Sequence, residues 1–260
     1  MSPGQALAHM VRAIRMVVLA PGLLALPAVA QAADCRQALA IGLDVSGSVD
    51  QQEYQMQIEG LAAALLSEEV VEKLLDTPET PVMLAVYDWS GAEHQRLILD
   101  WVALSDRVVL EHVAGVLATA VRIERSPATG VGAAMAYGDA LLARQPDCLR
   151  ATLDLTGDGL SNSGPRPRDV VLSERRVPVT VNALVIGIDR DAGWDGGEPG
   201  TAELTAWFRA EVIRGPEAFV EVALGFRDFE AAMRRKLIRE LQVLQLSALA
   251  PPAPPLQSSQ

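Results

Sequence analysis

The sequence predicts an α/β protein: a doubly wound, mostly parallel sheet with one antiparallel edge strand and helices on both faces. Three observations carry that expectation. Long apolar runs such as "RQALAIGLD" (36–44) and "VPVTVNALVIGID" (177–189) end in polar residues, as strands buried on both faces do. Segments of helical periodicity separate most of these runs, which lets successive strands lie parallel. One pair of runs, "PVMLAVYDW" (81–89) and "HQRLILDWV" (94–102), is joined by Ser90-Gly91-Ala92-Glu93, short enough for a hairpin.

The elements follow in order. After the strand at 36–44, Asp50 and Glu53 have the spacing of a capping box. Tyr54, Ile58, Leu61 and Leu65 then lie on one face of a helix running to about Leu75. The hairpin comes next, then a helix from Ser105 to about Ala120 with Val109, Val113 and Leu117 on one side. "ERSPATGVGAAMAYGDALLAR" begins as a loop and becomes a small-residue helix near Val131. "LRATLDLTGDG" (149–159) is the fourth strand, "PRPRDVVLSERR" a short helix, and 177–189 the fifth strand. A helix over Thr201–Ile213 is stopped by Gly215-Pro216. "AFVEVALGF" (218–226) is the last strand, and Asp228 caps a final helix lined by Phe229, Met233, Leu237 and Leu241.

Residues 1–32 read as a signal peptide. Arg12 and Arg15 precede the apolar stretch Met16–Ala30, and Ala30-Gln31-Ala32 is a small-x-small cleavage site. Two prolines and roughly 15 apolar residues make a poor membrane span, which needs about 20. The expected organisation is therefore a signal peptide (1–32), one domain (33–243) and a disordered Pro-rich tail (244–260), with the mature chain periplasmic or secreted and not inserted in a membrane. Removing 1–32 takes away two arginines and no acid, so the net charge moves from −11 to −13. So acidic a chain is not a nucleic-acid binder. Cys35 and Cys148 are the sole cysteines, an even count that suits a disulfide in an exported chain.

In open α/β sheets ligands bind beyond the C-terminal ends of the strands. Three polar clusters fall there: Asp44-Val45-Ser46-Gly47-Ser48, Thr129 at a helix start, and Asp158. All their donors are oxygens and two are carboxylates, the set a hard divalent cation such as Mg²⁺ prefers. In an extended loop positions i, i+2 and i+4 share a side, so Asp44, Ser46 and Ser48 can converge. Two carboxylates neutralise the ion and leave it able to accept one more anionic oxygen. D-x-S-x-S alone arises by chance in roughly one chain of this length in fifteen, so its weight comes from the strand context and from Thr129 and Asp158.

This pattern resembles the metal-ion-dependent adhesion site of von Willebrand factor A domains, over about residues 36–243, with matches at Asp44, Ser46, Ser48, Thr129 and Asp158. The resemblance implies a Rossmann-like sheet, Mg²⁺ (or Mn²⁺ or Ca²⁺) held by the hydroxyls directly and by the aspartates often through water, and a protein partner whose acidic residue completes the coordination. The family commonly has Thr-Asp-Gly, whereas Gly157 stands between Thr156 and Asp158 here. The segment 201–241 also resembles an uncharacterised family of exported proteobacterial proteins with this domain. In the family's strand order the first and fourth strands are central neighbours, which implies a Cys35–Cys148 disulfide at the ends of those strands remote from Asp44 and Asp158.

Other chemistries fit less well. His9, His94 and His112 lack zinc spacing. No Gly-x-Ser-x-Gly or phosphate-binding Gly-Lys-Ser/Thr loop occurs. Asp189, Asp191, Asp195 and Glu198 form a Gly-rich acidic loop that misses the EF-hand spacing. Asp88, Trp89, Glu93 and His94 are expected to rim the metal face, Trp89 either as a contact aromatic or packed on a helix. The expectation is a binding module and not an enzyme, with no catalytic residue and no organic cofactor. The alternatives are a metal-dependent hydrolase and a structural envelope protein with a vestigial site.

Overall fold

The computed structural model describes residues 35–123, 126–187 and 200–249, with side chains described as far as Leu241. Six strands form one sheet: β1 (Gln37–Asp44), β2 (Val82–Trp89), β3 (Gln95–Leu104), β4 (Ala151–Gly157), β5 (Val179–Ile186) and β6 (Val220–Ala223). Their order across the sheet is β3-β2-β1-β4-β5-β6. Only β2 and β3 pair antiparallel, through the short loop after Trp89, and the other neighbours are parallel. The predicted fold class is the one observed.

Six helices cover the sheet: α1 (Gln51–Leu66), α2 (Glu68–Leu74), α3 (Arg107–Ala118), α4 (Val131–Leu142), α5 (Thr201–Glu211) and α6 (Phe229–Leu249). The period of two in β1 divides the core. Leu39, Ile41 and Leu43 pack with α1, α2, α3 and α6, while Ala38 and Ala40 face α4 and α5. Small residues on the second face let α4 come close, and the Tyr87 hydroxyl reaches through to donate to the Ala134 carbonyl at 2.8 Å. Each buried Leu or Ile of either layer contributes about 1.5–3 kcal/mol. Among the described residues no helix is long and apolar enough to cross a membrane.

Four local expectations are corrected. The helix expected over 50–75 is interrupted at Ser67, whose backbone is extended (φ −65°, ψ 137°) and whose hydroxyl donates back to the Ala64 carbonyl at 2.8 Å. The short helix expected at 165–176 is a single 3-10 turn, Pro167–Asp169. Beyond it the chain is strapped to α4, where the Asp139 carboxylate accepts from the Ser173 amide at 2.9 Å and pairs with Arg175. The last strand is shorter than expected because the Leu224 amide is taken by the Asp228 carboxylate at 3.0 Å instead of a neighbouring strand. That carboxylate also pairs with Arg235 of α6 at 3.5 Å, and α6 runs on to Leu249, into the segment expected as tail. The acidic loop at 189–198 and the signal segment 1–32 lie outside the described residues.

Cys35 and Cys148 are bonded, 113 residues apart in sequence, with Cα atoms 4.6 Å apart. They lie just before β1 and β4, and the Leu149 amide donates to the Cys35 carbonyl at 3.0 Å. The β1–β4 register keeps one offset from Cys35↔Cys148 through Gly42↔Leu155. The extra residue between Cys148 and Asp158 is therefore absorbed at the other end of the strands, by Gly157.

Candidate metal centre

The predicted oxygen ligands gather beyond the C-terminal ends of the two central strands. β1 ends at Asp44, which is fully buried. The chain then turns, with the Val49 amide donating to the Ser46 carbonyl at 3.1 Å, before Asp50 opens α1 through the capping box with Glu53. Asp44 Oδ1 accepts from the Ser46 amide at 2.8 Å, which folds the loop over its own carboxylate. Gly47 is needed because the loop carrying Thr129 comes within hydrogen-bonding distance: its amide donates to the Pro127 carbonyl at 2.9 Å, and a Cβ at 47 would lie 2.8 Å from the Pro127 side chain.

The remaining predicted ligands lie around the same point. Ser46 Oγ and Ser48 Oγ are 3.4 Å apart, and Ser48 Oγ donates to Asp158 Oδ1 at 2.7 Å. Thr129 precedes α4 by two residues, and its backbone is tied to the loop after Asp158: its amide donates to Asn162 Oδ1 at 2.9 Å, and its carbonyl accepts from the Asn162 and Ser163 amides. Gly159 lies so near that a Cβ on it would sit 3.9 Å from Thr129 Oγ1. Ser48 is exposed, Asp158 half-buried, and Asp44, Ser46 and Thr129 are buried, so the cluster has a closed floor and an open mouth.

The donor set fits a small hard cation. Asp44 Oδ2 is buried and makes no hydrogen bond of good geometry. Burial first, and the charge of Asp158 second, push the Asp44 carboxyl well above the usual carboxylate range; the Ser46 amide and hydroxyl and the Asp158 amide oppose them. A positive charge between the two carboxylates would offset both causes. Edges of an octahedron with Mg²⁺–oxygen distances of 2.0–2.1 Å are about 2.9 Å long, and the measured oxygen separations of 2.7 and 3.4 Å bracket that value. Among the described residues no group of three or more His, Cys, Asp or Glu side chains gathers as a metal site, so a cation here would depend on the hydroxyls.

Three supporting residues escaped the sequence reading. Gln57 and Thr156 hold the Asp44 backbone from below, and Asn162 holds Thr129. Gln57 was detectable as a polar residue on the same helical face as Tyr54 and Leu61. Arg122 Nη2 also approaches the Val45 and Ser46 carbonyls, at 3.3 Å each. The expected rim is corrected in part. Trp89 is fully buried in the second core layer, so of its two readings packing is the one observed, and Asp88 is buried and paired with Arg96.

A family model described as protein of unknown function, DUF1194, matches residues 34–245. The chain belongs to that family. Among curated proteins none matches this DUF1194 member. Its fold is similar to that of a von Willebrand factor type A structure from Catenulispora acidiphila, with 14% identity, a TM-score of 0.51, and coverage of 80% of this chain and 43% of that one. The PilB minor pilin from Streptococcus sanguinis shares 11% identity at a TM-score of 0.55, with 85% and 64% covered. The pilus adhesin SpaC from Lactobacillus rhamnosus GG, in its open conformation, shares 11% at 0.54, with 81% and 30% covered. The DUF1194 chain thus spans between 30% and 64% of the length of these three proteins. At such identities the likeness concerns the fold, which is of the von Willebrand factor A type.

Proposed function

We propose that this chain is an exported, non-enzymatic binding module that engages a protein partner through a divalent cation, Mg²⁺ in the first place. Asp44, Ser46, Ser48, Thr129 and Asp158 would hold the ion, some of them through water. When bound, the ion would supply an electrophilic position able to accept a carboxylate from the partner. The observation that carries the reading is Asp44 Oδ2, a buried carboxylate oxygen without a hydrogen bond beneath a ring of hydroxyls. The protein's own part is to orient: Gln57 and Thr156 fix the end of β1, Asn162 fixes Thr129, and the buried floor keeps water from Asp44. Fold likeness to a pilus adhesin and a minor pilin agrees with a binding role outside the cytoplasm, as does the disulfide. On this reading residues 1–32 are removed on export.

Calorimetric titration with Mg²⁺ or Mn²⁺ tests the proposal. One site in the micromolar to millimolar range is expected, as for an ion that keeps waters, with strong weakening in Ser46→Ala and Asp158→Ala. The complex with an envelope partner should be lost in EDTA and in Asp44→Ala. Equal heats for wild type and variants would remove the metal from the account.

A further inference from the structure

The opposite ends of the central strands enclose a second polar site. A cavity of about 140 Å³ lies there, walled by Gln37 at the start of β1, Thr152 of β4, Asn182 of β5 and Glu240 of α6. The side-chain amide nitrogens on this wall are already committed: Gln37 donates to Thr152 Oγ1 at 2.8 Å and Asn182 to Glu240 Oε1 at 2.6 Å. Asn182 Oδ1 accepts from the Phe219 amide at 3.0 Å. What remains are acceptors. Gln37 Oε1 and Glu240 Oε2 are buried without a hydrogen-bond partner, in side chains whose residues are 2% and 5% exposed.

The charges are unbalanced in the same sense. Behind the cavity wall, the fully buried Lys236 ammonium pairs with Asp154 and donates to Glu240 Oε1 at 2.7 Å. Two carboxyl groups face one ammonium, so Glu240 is held as the neutral acid beside Asp154 until a second cation compensates its charge. Burial first, then the charge of Asp154, push the Glu240 carboxyl up to about 8 against the pull of Lys236, and a hydrogen bond with Asp154 acts in the same direction. The rest of the cavity is apolar, with Val177, Pro178 and Phe219 on its walls. Arg150 and Glu217, also lining it, form a 3.1 Å ion pair whose side chains are partly exposed.

We propose that this cavity binds a small organic cation, a primary alkylammonium, whose N–H groups donate to Gln37 Oε1 and Glu240 Oε2 while its alkyl body lies against Val177, Pro178 and Phe219. A cavity of this size takes a ligand of about six heavy atoms, since one of 150 Å³ accepts benzene. The site shares no residue with the metal centre, so either assignment can fail without the other.

The test follows the side-chain amide resonances of Gln37 and Asn182 and the ring protons of Phe219 while n-butylammonium chloride is titrated at constant ionic strength, with 1-butanol as the neutral counterpart. Saturable shifts concentrated at these groups are expected, with 1-butanol at least tenfold weaker. Glu240→Gln removes the charge and presents an N–H where the ammonium should donate, so it should weaken n-butylammonium at least tenfold in a protein whose backbone amide spectrum is unchanged. If that variant does not fold, the wild-type comparison of the two probes decides alone. Absence of saturable shifts up to about 50 mM, beyond the millimolar affinity available to so small a ligand, or equal response to 1-butanol, would overturn the proposal.

Discussion

Gln57 and Asp44 are joined side chain to backbone: the Gln57 amide nitrogen, on α1, donates to the Asp44 carbonyl at 2.9 Å. The Thr156 hydroxyl donates to the Gln57 amide oxygen at 2.9 Å and accepts from the Asp44 amide at 3.0 Å. These three residues, from α1, β1 and β4, close a buried ring directly beneath the oxygen cluster.

Gln57→Leu keeps the bulk and removes both of the glutamine's bonds. The Asp44 carbonyl loses this donor and the Thr156 hydroxyl its acceptor, at about 1–3 kcal/mol for each buried group left unpaired. Urea denaturation should show a loss of about 2–6 kcal/mol, with Mg²⁺ affinity reduced as well. Gln55→Leu, where the amide reaches only Glu59 on the surface, is the control and should leave both unchanged. A Gln57→Leu protein as stable as wild type would dismiss the ring as a support.

Gly132 tests how tightly Thr129 is positioned. A Cβ at Gly132 would stand 2.1 Å from the Pro165 carbonyl oxygen, a backbone atom that cannot rotate away. Gly132→Ala must therefore push the start of α4 off the loop that follows β4, the two segments that hold Thr129 and Asp158. Destabilisation of about 1–3 kcal/mol is expected from the overpacking. Mg²⁺ affinity should fall with it, although residue 132 supplies no ligand. Unchanged calorimetry would mean that the site tolerates a shifted helix.

The disulfide predicts a simple thiol count. Denatured without reductant, the protein should show no free thiol, and two per chain would contradict the bridge. Reduction, or Cys35→Ala with Cys148→Ala, frees a loop with a sequence separation of 113. The chain-entropy model assigns such a loop about 4–5 kcal/mol, with residual structure in the unfolded chain lowering the observed figure. Chemical denaturation with and without reductant measures it.

Stability should also fall as pH rises from mildly acidic to mildly alkaline values. Glu240 ionises near its ordinary 4.5 when unfolded but at about 8 when folded, chiefly through burial and the Asp154 charge. The contribution is complete below about pH 4.5, declines as the unfolded chain alone releases its proton, and is gone above about pH 8. Lys236 acts at the other extreme. Burial lowers it, but Asp154 and Glu240 outweigh that and raise it above 10.5, so its contribution is present below that value and lost only at higher pH. Urea midpoints at about pH 5, 6.5 and 8 should decline for wild type more steeply than for Glu240→Gln. Parallel slopes would show that another group titrates there.

The strands and their ends were legible because two-sided burial writes itself as uninterrupted apolar residues, and polar residues stop each run. Asp44, Ser46, Ser48 and Asp158 could be brought to one end of the sheet for that reason, and Thr129 by its place at the start of α4. Less visible were features decided by particular side-chain bonds, near or distant in sequence. Ser67 breaks the first helix through a local bond that competes with the helical pattern without altering its periodicity. The stretch after Pro165 has helix-compatible composition, yet Asp139 and Arg175 hold it as a strap. Trp89 resembles a surface aromatic until the second core layer closes over it. Lys236, Glu240 and Asn182 sit in three unremarkable sequence contexts and acquire meaning only when α6 crosses β4 and β5.

The bond between Cys35 and Cys148 also sets which parts of the molecule tension can reach. A pull on the two chain ends passes through the sulfur atoms and bypasses everything between them, some 113 residues, or about 400 Å of extended chain at 3.3–3.6 Å per residue. Asp44, Ser46, Ser48 and Thr129 lie inside that shielded length, and Asp158 lies outside it, ten residues beyond Cys148. Under load the cluster can be opened from one side only, by drawing β4 and its aspartate away from a loop that stays covalently closed.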